Sequence, residues 1–286
     1  NKKTIFRDMN MKVEVIPIKT DYIKPNEGYY TLITNIIKYC QDDDYIVISE
    51  TPISTAEGNL VDESKYIPSI AASILTELWS KYLWGYVLCP FLGYKKRTIT
   101  NLRNMPHEAR YHKQFILEKY GLKYALQPTS EAGVDLSNVP EQYVSLLPEN
   151  PQKSADYIKE IIHKKTGKNV NIIICDTDAT YDFYGKKFTT LPQSIETIHN
   201  NTGIFGYILG NFSKKIGPTP LASTVKCDVE MLIKLCAIAE KSQVENTNTF
   251  FETVYNMKTT FDTDYNKVTP ALLNTITHIP AVIIRF

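Results

Sequence analysis

The apolar positions along the chain fall into two rhythms. Ile172-Ile173-Ile174-Cys175 is an unbroken apolar run, and it predicts a buried strand opening at Asn171. Met11 to Ile18 alternates Val13, Val15 and Pro17 with Lys12, Glu14 and Ile16, and predicts a strand stopped by a polar turn near 20–26. Tyr45 to Ser49 predicts a second strand, with a turn at Ser54-Thr55-Ala56-Glu57-Gly58, and Ile279 to Phe286 a final one. Helical spacing appears at Ile33, Ile36, Ile37 and Cys40, and over 68–83 through Ile70, Ile74, Leu75, Leu78 and Trp79. It recurs at Ile158, Ile161 and Ile162, where Ser154 is a candidate cap and Gly167 a terminator. A last helix is predicted from Val225 to Glu240, with Val229, Leu232, Ile233, Cys236 and Ala237 facing inward. The order reads as mixed α and β without internal repeats.

The apolar strand ends in Asp176-Thr177-Asp178. A carboxylate at the carboxyl end of a buried strand sits where open α/β sheets place ligands. It cannot turn into the core unpartnered, because burying a bare charge costs several kcal/mol. It therefore meets water, a cation or a metal. Asp-Thr-Asp is equally ordinary turn chemistry, with Asp176 capping an Asx-type turn. Both readings stand on this segment alone.

Of the 286 residues, 43% are hydrophobic and 22% charged, enough for one large domain or two small ones. The net charge is +1 without a basic block or acidic tail, so no footprint for nucleic acid or an anionic membrane is visible. Lys95-Lys96-Arg97 and Asp42-Asp43-Asp44 read as solvated runs. No apolar run reaches membrane-spanning length and residues 1–8 lack a signal core. Cys40, Cys89, Cys175, Cys227 and Cys236 are odd in number and widely spaced, which suggests neither disulfides nor zinc and fits a reducing, cytoplasmic setting. His107 and His112, five apart, are a poor metal pair.

The chain carries no P-loop, no GxGxxG and no GxSxG. What remains is a set of oxygen donors: Asp135 in the loop 127–138, Asp176, Thr177, and Glu240 at a helix end. Hard oxygens suit Mg²⁺ or Mn²⁺ carried by nucleotide phosphates.

In order along the chain stand MKVEVIPI at 11–18, ISTAEG at 53–58, AGVDLSN at 132–138, LLPENPQKSA at 146–155, NVNIIICDT at 169–177 and IPAVIIRF at 279–286. Together they resemble the coenzyme F420-0:L-glutamate ligases, GTP-dependent γ-glutamyl ligases. Residues 1–10 then read as an extension, residues 11–286 as one ligase-like domain, and 81–106 and 246–277 as inserts. The resemblance implies an α+β fold with mixed sheets and an intertwined homodimer. It implies GTP as co-substrate, two Mg²⁺ or Mn²⁺ ions per site, a place for K⁺, and transfer of L-glutamate to a carboxylate acceptor through an acyl-phosphate. Asp135 and Asp176 match the aspartates at the first metal, Thr177 the hydroxyl at the second, and Glu240 the second metal's acid. Asn138 matches a guanine-nucleotide contact, and Glu50 and Thr51 fall where the nucleotide is lined. On this reading the Asp135 and Asp176 carboxylates should lie close enough to share a cation.

This sequence departs from the pattern where the family holds anions. Thr55 stands at the lysine of the SKAEG turn, and Thr180 and Phe183 at the two arginines after the DT pair. Glu131 stands at the asparagine preceding AGVD, and residues 201–207 lack the charges of an RDxxGR motif. Arginine forks hold phosphate and carboxylate bidentately, so their loss argues for a different substrate. Three readings follow: a divergent metal- and GTP-dependent ligase acting on F420-0 or a similar acceptor, a folate-type or other amide ligase of the same fold, and a nucleotide-binding paralogue without turnover.

Overall fold

A computed structural model describes residues 13–247, 257, 260–264 and 267–286. The first expected strand is β1 (Glu14–Thr20), followed by helix α1 (Tyr30–Ile36), strand β2 (Tyr45–Ser49), helix α2 (Glu50–Glu57) and strand β3 (Leu60–Asp62). A long helical stretch then runs through α3 (Ile70–Ile74), a π-helical segment (Leu75–Leu88) and α4 (Cys89–Phe91). Next come α5 (Lys96–Arg103), α6 (Ala109–Tyr120), α7 (Leu122–Ala125), β4 (Tyr143–Ser145), α8 (Pro151–Thr166), β5 (Asn171–Phe183) and β6 (Lys186–Thr189). The chain closes with α9 (Ile204–Gly210), β7 (Lys214–Ser223), α10 (Val229–Asn246), a helical turn Pro270–Leu273 and β8 (His278–Arg285). The expected extension 1–10 and much of the insert expected at 246–277 lie outside the described residues.

Among the described residues the main sheet has six strands in the order β1-β8-β2-β5-β6, with β7 also pairing on β5. Only β2 and β5 are parallel; every other pair is antiparallel, which makes the architecture a mixed α+β fold. β3 and β4 form a separate two-stranded sheet. The isoleucine run is unbroken because both of its faces are covered. Ile46, Ile48, Ile172 and Ile174 pack with Ile33, Ile36, Ile158 and Ile162 of α1 and α8. Val47 and Ile173 pack on the other face with Leu232, Leu235, Cys236 and Ala239 of α10.

Several local expectations change. The strand does not stop at Asp176 but continues to Phe183, because β7 pairs alongside it. Residues 54–58 are not a turn: they complete α2, which Gly58 ends in the left-handed region at φ 74°. Asn150, not Ser154, caps α8 by accepting from the Lys153 N–H at 3.0 Å, with Pro151 at the first helical position. Ser154 instead donates to Glu57 Oε1 at 2.5 Å, tying α8 to α2. Asp44 is not solvated. It is buried, and Arg285 grips it bidentately, Nε at 2.8 Å and Nη2 at 2.9 Å.

The stretch 70–91 is one helical rod, but its buried side is not the expected stripe. Ile70, Ile74 and Leu78 face solvent, while Leu75, Ser80, Trp84 and Gly85 point inward. All five cysteines are unpaired, as expected.

Ile174 is fully buried in the centre of the sheet. Ile174→Ala should therefore lower the unfolding free energy by about 2–5 kcal/mol, read by urea denaturation, with an unchanged m-value.

Candidate functional site

The parallel pairing of β2 with β5 sets the site. Ser49 lies opposite Cys175 in the register, so the next residues, Glu50 just past the end of β2 and Asp176 within β5, sit side by side. Glu50 opens α2, and both residues are buried.

Asp176 pairs with Thr219 on β7, but the next paired residue on β5 is Ala179, opposite Pro218. Thr177 and Asp178 are therefore bulged out of the ladder. The bulge is held by the Asp178 N–H donating to Asp176 Oδ1 at 2.6 Å and by Thr219 Oγ1 donating to Asp178 O at 2.7 Å. Regular strand alternation would send Thr177 to the opposite face; the bulge brings Asp176, Thr177 and Asp178 into one cavity.

The loop 130–138 covers this edge. Asp135 is fixed by an isolated antiparallel bridge with Ser145. Its Oδ1 accepts from the Ser137 N–H and hydroxyl, both at 2.8 Å. The Thr51 hydroxyl lies between two acids, 2.9 Å from Glu50 Oε1 and 3.2 Å from Asp135 Oδ2. A hydroxyl has one proton, so it donates to only one of them at a time. Gly133 needs its missing side chain: φ is +67°, and a Cβ there would come within 2.7 Å of Leu191 Cδ2.

The resulting cavity has a volume of about 560 Å³ and is lined by Glu50, Thr51, Asp135, Asn138, Asp176, Thr177 and Glu240. The candidate metal and nucleotide residues singled out from the sequence thus border one space. Glu240 arrives differently from expected. It lies inside α10, which runs on to Asn246, so it does not face a helix terminus and no dipole acts on it there. Sequence reasoning missed Asp178, Lys215 and Arg97, which border the same cavity. Asp178 was visible in the Asp-Thr-Asp motif, but only the bulge sends it inward. Arg97 had been read as part of a solvated run.

The electrostatics are one-sided. Burial pushes Glu50 up to about 7, and the Asp135 charge adds to this. Burial pushes Asp178 up to about 6, opposed by a hydrogen bond from Ser130 and the charge of Lys215. Burial also raises Asp176 well above the carboxylate range, reinforced by Glu50 and Asp178. Asp135 is raised by burial despite the Ser137 hydrogen bonds, and Glu240 by burial despite Lys215. Glu50 Oε2 is buried with no hydrogen-bond partner.

Among the described residues no three His, Cys, Asp or Glu side chains are already closed into a metal-holding group. The donor set nevertheless fits a hard divalent cation: all oxygen, several carboxylates that repel one another, and one orphaned buried carboxylate oxygen. Two of the positions where the resemblance leads one to expect a cation, those of Thr55 and Thr180, carry hydroxyls. Thr55 donates to Thr51 O at 2.8 Å, and Thr180 lies 2.9 Å from Thr219 Oγ1. No helix among the described residues is long and apolar enough to cross a membrane.

The sequence profile of the F420-0:gamma-glutamyl ligase family matches residues 17–243. An uncharacterized protein of Methanocaldococcus jannaschii is 39% identical over 287 residues, covering 94% of this chain and 95% of that protein. The coenzyme F420:L-glutamate ligase of the same organism is 35% identical over 169 residues, covering 58% of this chain and 60% of the ligase. That of Methanococcus maripaludis strain C7 is 35% identical over 171 residues, covering 58% and 61%. The match to the ligases therefore spans about three fifths of their length.

The acids give a pH prediction whose sign follows from linkage. Glu50 and Asp178 are raised in the folded state, so the fold holds protons that the unfolded chain releases. Their contribution is complete below the usual carboxylate range and is lost as pH rises through about 6 to 7. Metal-free protein should thus lose stability from about pH 5 to pH 8. Glu50→Gln should flatten that slope and raise stability at pH 8 by at least about 1 kcal/mol, measured by denaturant unfolding in chelator.

Proposed function

The chain belongs to the F420-0:gamma-glutamyl ligase family, and from that membership we propose that it is a metal- and nucleotide-dependent amide ligase joining L-glutamate to a carboxylate acceptor. The observation that carries this reading is the cluster of mutually repelling carboxylates, Glu50 and Asp176 buried among them, with the unpartnered Glu50 oxygen.

Asp135, Asp176, Thr177 and Glu240 would hold two Mg²⁺ or Mn²⁺ ions, with Glu50 and Asp178 beside them. Such ions, when bound, neutralise the nucleotide's phosphates. Thr51 and Asn138 border the nucleotide in this reading, with GTP preferred. An acceptor carboxylate oxygen attacks the γ-phosphorus, giving an acyl-phosphate and GDP. The glutamate amine then attacks the acyl carbon, forming the amide and releasing phosphate. The chain's part is to align the two reactants and exclude water.

The acceptor differs from that of the F420 ligases in this reading. Methanocaldococcus jannaschii carries both such a ligase and a separate protein that matches this chain nearly end to end. Thr55 and Thr180 put hydrogen-bonded hydroxyls where the family pattern has cations. Arg97 and Lys215 supply positive charge from other elements, α5 and β7. The same hydroxyls favour a second reading, in which the chain binds nucleotide without turnover.

A homodimer is part of the proposal. Ile70, Ile74, Leu78, Tyr82 and Phe91 form an exposed apolar face on the long helix, suited to a second copy. Light scattering at micromolar concentration should give twice the monomer mass; a clean monomer contradicts this.

The site itself is tested by thermal unfolding. At about 100-fold excess over Kd, Mn²⁺ with GTP should raise the midpoint by about 5 °C or more, and Mn²⁺ with ATP by less. Asp176→Asn should be at least as stable as wild type without metal, since it removes one of the repelling charges, and should lose the Mn²⁺–GTP response. A variant that still responds like wild type would sink the site. Turnover separates the two readings: release of phosphate from GTP that depends on L-glutamate and a carboxylate acceptor supports the ligase, and binding without it supports the paralogue.

A further inference from the structure

Behind the loop that carries Ser130, Asp135 and Asn138 lies a second group of charges, enclosed by protein and outside the cavity. Helix α6 supplies His112 and Lys113, the turn at Glu63–Lys65 supplies Glu63, and the loop supplies Glu131. Their exposures are 6% for His112, 1% for Lys113, 5% for Glu63 and 7% for Glu131, so this is not a solvated surface cluster.

The Lys113 ammonium spends all three donors on this region. It donates to Ala125 O at 3.0 Å and to Gln127 O at 2.5 Å, and it pairs with Glu131 Oε1 at 2.6 Å. His112 Nδ1 lies 2.9 Å from Glu63 Oε2, and its Nε2, which has no hydrogen-bond partner, lies 3.8 Å from Glu131 Oε2. Burial alone would lower the basicity of His112, but the hydrogen bond and charge of Glu63, with the charge of Glu131, raise it. Burial would raise Glu131, but the charges of Lys113 and His112 hold it low. Protonated His112 makes the group a neutral quartet of two cations and two anions.

Glu131 stands where the backbone is least relaxed. Ser130 and Ala132 on either side of it have φ of 55° and 56°, and Gly133 has 67°. Two of these three residues carry a Cβ, so the left-handed run needs an outside restraint. Ser130 lines the cavity with Asp178, and Asp135, also in the lining, lies four residues further along the loop from Glu131. Buried ion pairs are a poor source of stability, because apolar residues of similar volume often hold a fold equally well. What this quartet supplies that apolar residues do not is one fixed position for Glu131.

We propose that Lys113 and His112 are positioning residues, whose ion pairs with Glu131 clamp the loop 130–138 so that Ser130 and Asp135 face the bulge of β5. The inference rests on the cation site proposed above. Among the described residues the quartet meets the cavity at this loop, and the Glu131 charge also bears on Asp178, so loop exchange is the readout that separates clamping from charge.

The test uses the full chain with Mn²⁺ as probe. Lys113→Met alone leaves the buried Glu131 with only the 3.8 Å contact to His112 Nε2, a cost that puts folding itself at risk. The double variant Lys113→Met with Glu131→Gln removes both charges of the pair and keeps the shapes. It should fold, as read by circular dichroism and the unfolding midpoint. Its Mn²⁺ Kd by calorimetry should nevertheless rise by about tenfold or more. The electron paramagnetic resonance spectrum of bound Mn²⁺ should change, and amide exchange over 130–138 should quicken while β2 and β5 stay protected. A folded double variant with wild-type Mn²⁺ affinity, spectrum and loop exchange would overturn the proposal. Wild-type protein that binds no Mn²⁺ would instead overturn the cation site, and loop exchange would still decide whether the quartet clamps the loop. Should the double variant not fold, Glu131→Gln alone is measured in the same way, with the same results for and against.

Discussion

Carboxylates brought together where β2 ends beside β5 repel one another unless protons or cations sit among them. This chain is built around that repulsion. Glu50 and Asp176 are brought together by a register that the buried isoleucines of β2 and β5 fix from both faces. A slip of one residue would turn those side chains to the wrong faces, so the packing of the core is also what holds the acids side by side. Asp135 and Asp178 add to the same cluster, and Glu50 keeps one carboxylate oxygen without a partner. A fold that gathers charge at this cost retains it most readily when a cation relieves it.

The remaining elements serve that cluster in different ways. The β5 bulge turns consecutive residues toward one space, and the Asp135 bridge to Ser145 anchors the covering loop to the small sheet. Helix α10 brings Glu240 from across the sheet, while Lys215 of β7 moderates both Glu240 and Asp178. Arg97 enters from α5, within the segment read from the sequence as an insert. Cations have therefore not vanished from the site; they come from places other than the family pattern would suggest. That arrangement suits a relative that keeps the chemistry of the fold and changes the acceptor.

Much of this was legible in the sequence. Tyr45 to Ser49 was read to the residue, and the isoleucine strand announced itself by an unbroken β-branched run. Asp176 was found because a carboxylate closing such a run has few places to go, while Asp135 and Glu240 rested on the family resemblance. What escaped depended on partners far away in the chain. Asp44 looked solvated because its partner, Arg285, is 241 positions distant. The continuation of β5 past Asp176 depends on β7, and the inward turn of Asp178 on a bulge between the two. On the long helix the expected apolar stripe was misplaced: past Leu75 the turns are wider than a period of 3.6, and before it Ile70 and Ile74 face solvent in a regular helix. Glu131 gave no local sign that Lys113 would meet it.

The central claim is that the carboxylates of Asp135 and Asp176 receive a divalent cation. Anomalous X-ray scattering from crystals soaked with Mn²⁺ and GTP tests it most directly. A manganese peak bonded to oxygens of Asp135 and Asp176 is the expected result. A fully occupied nucleotide with no anomalous peak between those two side chains would contradict the account.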